Sequence, residues 1–167
     1  MRHQNLISMS RAAMLALLAV FALAACKKEE APKAEAAPVA VPTNGDANAW
    51  QAYASDVVKR NMDGVTNSPF VYFLPLESEA DFQAQYDSQL EKVQTDLSRG
   101  ILEGNMLAFI SPASNRMADL IAAAFTDIEP NSMKGVKVLF IGKAADSERV
   151  KAAVAPAGVN YVFVEAK

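Results

Sequence analysis

Four short apolar runs, each separated from the next by a stretch of helical periodicity, constrain this chain more than any other feature. Phe70–Leu74 (FVYFL), Met106–Ile110 (MLAFI), Val136–Ile141 (VKVLFI) and Asn160–Val164 (NYVFV) are short, apolar and bounded by turn residues. Runs of this length and composition read as buried strands. Ahead of the first, Trp50, Tyr53, Ala54, Val57 and Val58 recur at i, i+3, i+4, i+7 and i+8, with Asp46 as N-cap, which predicts a helix ending near Asn61. Asp63-Gly64 and Asn67-Ser68-Pro69 then mark a loop, and Pro75 stops the first strand.

A second helix is expected from Ser78, capped by that residue, with Glu79 and Asp81 in its first turn. Phe82, Tyr86, Leu90, Val93 and Leu97 form its apolar stripe, and Gly100 ends it. Ser111-Pro112 reads as an N-cap followed by proline at the first helical position, opening a third helix around Met117, Leu120, Ile121, Ala124 and Phe125. A fourth is expected from Asp146 to Ala155, separated from the last strand by Pro156 and Gly158.

Strands that alternate with helices, without a hairpin signal, predict an α/β domain with a four-stranded, mostly parallel sheet. Right-handed crossovers restrict the topology. A strand order of 2-1-3-4 places two helices on each face and gives a three-layer sandwich, which is the expected arrangement. The alternative is an α+β sheet whose final strand runs antiparallel.

The N-terminus carries a separate message. Arg2 and Arg11 precede Ala12–Ala25 (AAMLALLAVFALAA), an uncharged apolar run ending in small residues, the pattern of a secretory signal peptide. A membrane-spanning helix needs roughly 20 apolar residues, and Lys27 and Lys28 close this run first. Leu23-Ala24-Ala25-Cys26 resembles the lipobox of bacterial lipoproteins. The resemblance covers residues 1–26 and implies removal of residues 1–25, diacylglycerol on the Cys26 thiol, and acylation of the new amine. With Lys27 rather than Asp as the second mature residue, it further implies the outer membrane, facing the periplasm. One acyl chain holds a protein only marginally, and two or three make the anchor effectively permanent.

Residues 27–45 (KKEEAPKAEAAPVAVPTNG) have no apolar periodicity, and Pro32, Pro38 and Pro42 interrupt any helix. With Cys26 they are expected to form a tether, and residues 46–167 the folded domain, one core being the natural reading of 167 residues. Removing Arg2 and Arg11 with the leader leaves 14 basic against 19 acidic residues, a net charge of about −5. No basic stripe with interleaved aromatics appears, so nucleic acid is not an expected partner. Cys26 is the only cysteine and His3 the only histidine, so the mature domain is expected to hold neither thiol nor imidazole.

That inventory narrows the chemistry. No Gly-rich dinucleotide fingerprint follows the first strand, and Gly142-Lys143 lacks the spacing of a P-loop. No Ser-x-x-Lys arises, since Ser111, Ser114 and Ser147 are followed three positions on by Ser114, Met117 and Val150. No catalytic residue, metal site or cofactor is therefore expected. Glu77, Glu79 and Asp81 are a conceivable cation cluster, but acids in a first turn complement the helix dipole and read as structural. Ser111 and Arg116 stand where the third helix would offer free N–H groups to an anion. Lys143 and Asp146 flank the expected switch in strand order, where open α/β sheets bind ligands, with Glu77 and Ser78 expected opposite them. The sequence thus predicts a membrane-anchored envelope lipoprotein acting as a non-enzymatic interaction or accessory module on an envelope protein. A small-ligand or anion-binding domain, with weak carboxylate-based hydrolysis at most, is the alternative.

Overall fold

The structure, a computed structural model, describes residues 37–167. The leader 1–25, the lipidation position Cys26 and tether residues 27–36 lie outside the described residues. The elements follow in the order α1 (Ala47–Arg60), β1 (Phe70–Phe73), α2 (Phe82–Ser98), β2 (Met106–Ile110), α3 (Ser114–Ala124), β3 (Lys137–Gly142), α4 (Ala144–Val154) and β4 (Asn160–Glu165). A 3-10 turn at Ala155–Ala157 precedes β4. Every strand pairing is parallel, so the chain forms the expected small α/β domain around a four-stranded parallel sheet.

The strand order is β1-β2-β3-β4, not the expected 2-1-3-4. Each crossover therefore steps in the same direction, and right-handed connections place α2, α3 and α4 together on one face. Helix α1 precedes β1, belongs to no crossover, and covers the other face alone. The layers hold three helices and one, where two and two were expected. Local chemistry agrees with this order. Strand β1 is four residues between Pro69 and Pro75, and Val71 remains 47% exposed, as suits an edge. The residues of β2 are buried throughout, as a central strand with both faces covered requires.

The period of two divides the sheet's apolar residues between two cores. Leu107, Phe109, Val138 and Phe140 face α2–α4, packing with Phe82, Val93, Met117, Leu120, Ile121 and Val150. Met106, Ala108, Ile110, Leu139 and Ile141 face Trp50, Tyr53, Ala54, Val57 and Val58 of α1. All of the α1 positions picked by spacing are buried. Burying one such large side chain fully contributes about 1.5–3 kcal/mol.

Three helix starts differ from expectation, α4 beginning at Ala144 rather than Asp146. Helix α2 begins at Phe82, because residues 77–81 close into turns, with Glu79 N–H donating to Leu76 O at 3.1 Å and Phe82 N–H to Glu79 O at 3.1 Å. Ser78 is left exposed before the helix and caps nothing, and Glu79 and Asp81 precede the first turn instead of lying in it. Helix α3 begins at Ser114, two residues later than expected, because Ser111 Oγ accepts the Ala113 N–H at 2.9 Å and closes a tight turn over the expected start. Asp46, by contrast, caps α1, accepting the N–H of Asn48 at 2.9 Å and of Ala49 at 3.3 Å. The far end of α1 is held by Lys137 of β3, whose Nζ donates to Asn61 O at 2.7 Å and Asp63 O at 2.5 Å.

The compact unit runs from Ala37 to Lys167, so residues 37–45, which composition assigns to the tether, pack with the domain. This strap lies along α1. Val39 N–H donates to Asp56 Oδ2 at 3.1 Å, Val41 packs into the α1-side core, and Trp50 Nε1–H donates to Asn44 O at 2.7 Å. Gly45 passes against the Leu76 side chain, leaving no room for a Cβ. Tertiary contacts of this kind hold a segment whose own sequence has no core-forming period.

Candidate functional site

A cleft of about 380 Å³ opens at the carboxyl ends of the strands. Its floor is Ser111 after β2, Gly142 and Lys143 at the end of β3, and Ala166 and Lys167 after β4. The strap contributes Val41, Pro42, Thr43 and Asn44 to the walls, and Trp50, Leu76 and Pro112 complete an apolar lining. Open α/β sheets bind ligands at this end, because loops and helix N-termini converge there. Lys143 and Lys167 are the charged lining residues; Lys167 is paired with Glu165 at 2.6 Å, which leaves Lys143 as the cleft's uncompensated charge among the described residues.

Beside it the starts of α3 and α4 are locked together. Ser114 is 3% exposed; its Oγ donates to Asp146 Oδ2 at 2.7 Å and accepts the Lys143 N–H at 2.8 Å. Gly142 makes this approach possible, since a Cβ there would lie 2.6 Å from Ser114 Oγ and 2.5 Å from the Phe140 ring. Asp146 also accepts from Arg149 Nη2 at 3.2 Å, and Arg149 reaches across to Asp119 of α3 and to Asn115 O at 3.1 Å. The Asp119 carboxylate holds the Arg149 guanidinium above its ordinary pKa. Arg116 continues the chain of charges, with Nη1 3.7 Å from Asp119 Oδ2 and Nε 3.5 Å from Glu77 Oε1. Its guanidinium carbon lies 4.9 Å from the ring centroid of Tyr86 and 5.6 Å from that of Phe82, a cation–π seat on the α2 aromatics.

The site residues read from sequence therefore divide. Ser111 and Lys143 line the cleft. Asp146 stands behind Lys143, bound to Ser114 and Arg149. Glu77 does not face Lys143 and Asp146 across a crevice: β2 and α3 lie between β1 and β3, and Glu77 instead meets Arg116 at the α3 start. Ser78 is exposed in the turn before α2 and joins neither group. Of the acidic trio, Glu77 is drawn to Arg116 and Asp81 accepts from Gln85 Nε2 at 2.8 Å. Among the described residues no three His, Cys, Asp or Glu side chains converge as a metal site would need, and no helix is long and apolar enough to cross a membrane.

Sequence reasoning missed the strap wall, Lys167, and the Asp119–Arg149 pair. Asp119 and Arg149 are 30 positions apart on separate helices, so no spacing rule links them. Pro42 reads in sequence only as a helix breaker within the tether, and Trp50 only as part of the apolar face of α1. The chain matches no protein-family model, no curated protein and no solved structure.

Proposed function

We propose that the protein is a lipid-anchored envelope lipoprotein whose folded unit is a non-enzymatic recognition module, engaging an envelope protein at the carboxyl ends of its strands. The lipobox-like Leu23-Ala24-Ala25-Cys26 supports the anchor, and Lys27 supports the outer membrane facing the periplasm. The observation that carries the recognition surface is the strap: the segment that follows the tether lines the cleft together with Ser111 and Lys143. The polar groups next to the cleft hold the fold, since the Ser114 hydroxyl is taken by Asp146 and by the Lys143 N–H. A serine so engaged serves as a brace rather than a nucleophile.

Two measurements test the two halves. Mass spectrometry of the membrane-extracted protein should give an acylated N-terminal peptide beginning at Cys26, and an unmodified thiol there removes the anchor. A photo-crosslinking amino acid replacing Thr43 in the cleft wall should capture an envelope protein in whole cells. The same group replacing Leu102, 76% exposed at the opposite end of the sheet, should not. Equal capture at both positions, or at neither, overturns the proposed surface.

A second reading, a small-ligand or anion-binding domain, draws on the pairing of an apolar lining with Lys143 and Lys167. A volume of about 380 Å³ falls in the range of roughly 300–1,000 Å³ that small-ligand pockets take.

A further inference from the structure

We propose that the cleft takes the carboxylate end of a small organic acid with an apolar body, and that binding is coupled to docking of the strap. The inference rests on the second reading above and names its ligand class. The lining is mainly side-chain hydrocarbon from Val41, Pro42, Trp50, Leu76 and Pro112, which suits an apolar body. Of the two lysines in the lining, Lys167 is held at 2.6 Å by Glu165, whereas Lys143 makes no ion pair among the described residues and gives the cleft its available charge. One available ammonium beside an apolar wall matches a monoanion.

Phosphate fits less well, for two reasons that the α4 start supplies. An anion seated on a helix N-terminus uses the first free N–H groups, but the Lys143 N–H is spent on Ser114 Oγ at 2.8 Å. Asp146, in the first turn of α4, already brings a carboxylate to that dipole and repels a second charge on the ligand. Buried Ser111, 2% exposed, lines the same cleft with its oxygen accepting from Ala113 N–H, which leaves the hydroxyl proton for a ligand oxygen.

Coupling follows from the wall. A ligand filling the cleft lined by Ser111 and Lys143 also meets Val41 and Pro42 of the strap, so it adds contacts that exist only while the strap is docked. Binding and docking are then linked equilibria, each favouring the other by the same factor.

The experiment uses the full mature chain in lipid nanodiscs, with empty nanodiscs as reference. The probes are propanoate, butanoate, pentanoate and hexanoate, the alcohols of equal length, and inorganic phosphate. Calorimetry should show saturable binding of the acids that tightens about fourfold per added CH₂ until the cleft is filled. The alcohols should bind at least tenfold more weakly, and phosphate should not compete. Lys143→Gln should erase the preference for acid over alcohol while leaving alcohol binding intact, a pattern that misfolding does not produce. Hydrogen exchange at residues 38–45 should slow when hexanoate is added. No saturable acid binding, equal binding of phosphate, or an unchanged acid preference in Lys143→Gln overturns the ligand class. Unchanged exchange of the strap in the acid-bound protein overturns the coupling. Crosslinking from Thr43 without acid binding would leave the protein-recognition reading standing and remove this one.

Discussion

The Tyr72 hydroxyl, fully buried in β1, donates to the Asp96 carboxylate of α2 at 2.9 Å and ties the edge strand to the helix that covers it. Lys92 completes the group, with Nζ 2.8 Å from the same oxygen and 5.2 Å from the Tyr72 ring centroid. Burial pushes the Asp96 carboxyl up, but the hydrogen bonds from Lys92 and Tyr72 outweigh it and hold the group below its ordinary value. Burial and the Asp96 charge push the Tyr72 hydroxyl well up.

Tyr72→Phe should cost about 1 kcal/mol, the net worth of one hydrogen bond, because Asp96 keeps Lys92. Asp96→Ala should cost more, about 1–3 kcal/mol, since it strands a fully buried hydroxyl. A carboxyl with a lowered native pKa stabilises the fold fully above its unfolded value of about 3.9 and loses that contribution as pH falls through the native value. Urea denaturation of the wild type and Asp96→Asn should therefore show a gap at pH 7 that narrows below about pH 4. A gap that stays constant across that range would show that ionised Asp96 is not what holds β1 to α2.

The strap should behave as part of the domain at its C-terminal end. Limited proteolysis is expected to cut first within residues 27–36, with 38–45 protected by the Val39–Asp56 and Asn44–Trp50 bonds. The Arg60 guanidinium and the Val39 N–H hold the Asp56 carboxyl below its usual range. Docking at Val39 is thus favoured above the ordinary carboxyl value and lost as pH falls through the lowered one. Acid should open new cuts near Val39 before the domain unfolds, whereas cutting at 38–45 as fast as at 27–36 at neutral pH would mean the strap is not docked.

Gly142→Ala should destabilise by about 1–3 kcal/mol, the usual range for overpacking, because its methyl meets the Phe140 ring and Ser114 Oγ at the buried end of β3. The Gly142 φ is negative, so the cost is one of space and not of backbone strain. Thermal melts of Gly142→Ala alone and with Ser114→Ala separate the two causes: partial recovery in the double variant is expected if the hydroxyl is the obstacle.

Arg149→Ala removes links to Asp119, Asp146 and Asn115 O, yet the pair is solvent-facing. Exposed ion pairs contribute about 0–1 kcal/mol and weaken with salt. The variant should lose no more than that at low salt and match the wild type in 1 M NaCl. A loss that persists at high salt would assign Arg149 to packing between α3 and α4.

The alternation of elements, the apolar face of α1 and the cap at Asp46 were all written in the sequence, because each depends on residues within a few positions of one another. The proposal of an exported, lipid-bearing N-terminus also rests on contiguous residues, Leu23-Ala24-Ala25-Cys26. Strand order was not legible, since every helix is amphipathic in either topology. What decided it was the joint requirement that right-handed crossovers bury β2 and β3 on both faces while β1, confined by Pro69 and Pro75, takes an edge. The cleft was half legible: Ser111 and Lys143 stand where strands end, but the strap and the Asp119–Arg149 link have no local signature. A segment with no period of its own folds only against a surface that other residues build. Contacts between positions 17 or 30 apart in the chain, such as Val39 with Asp56 and Asp119 with Arg149, come into being only when the sheet and its helices are in place.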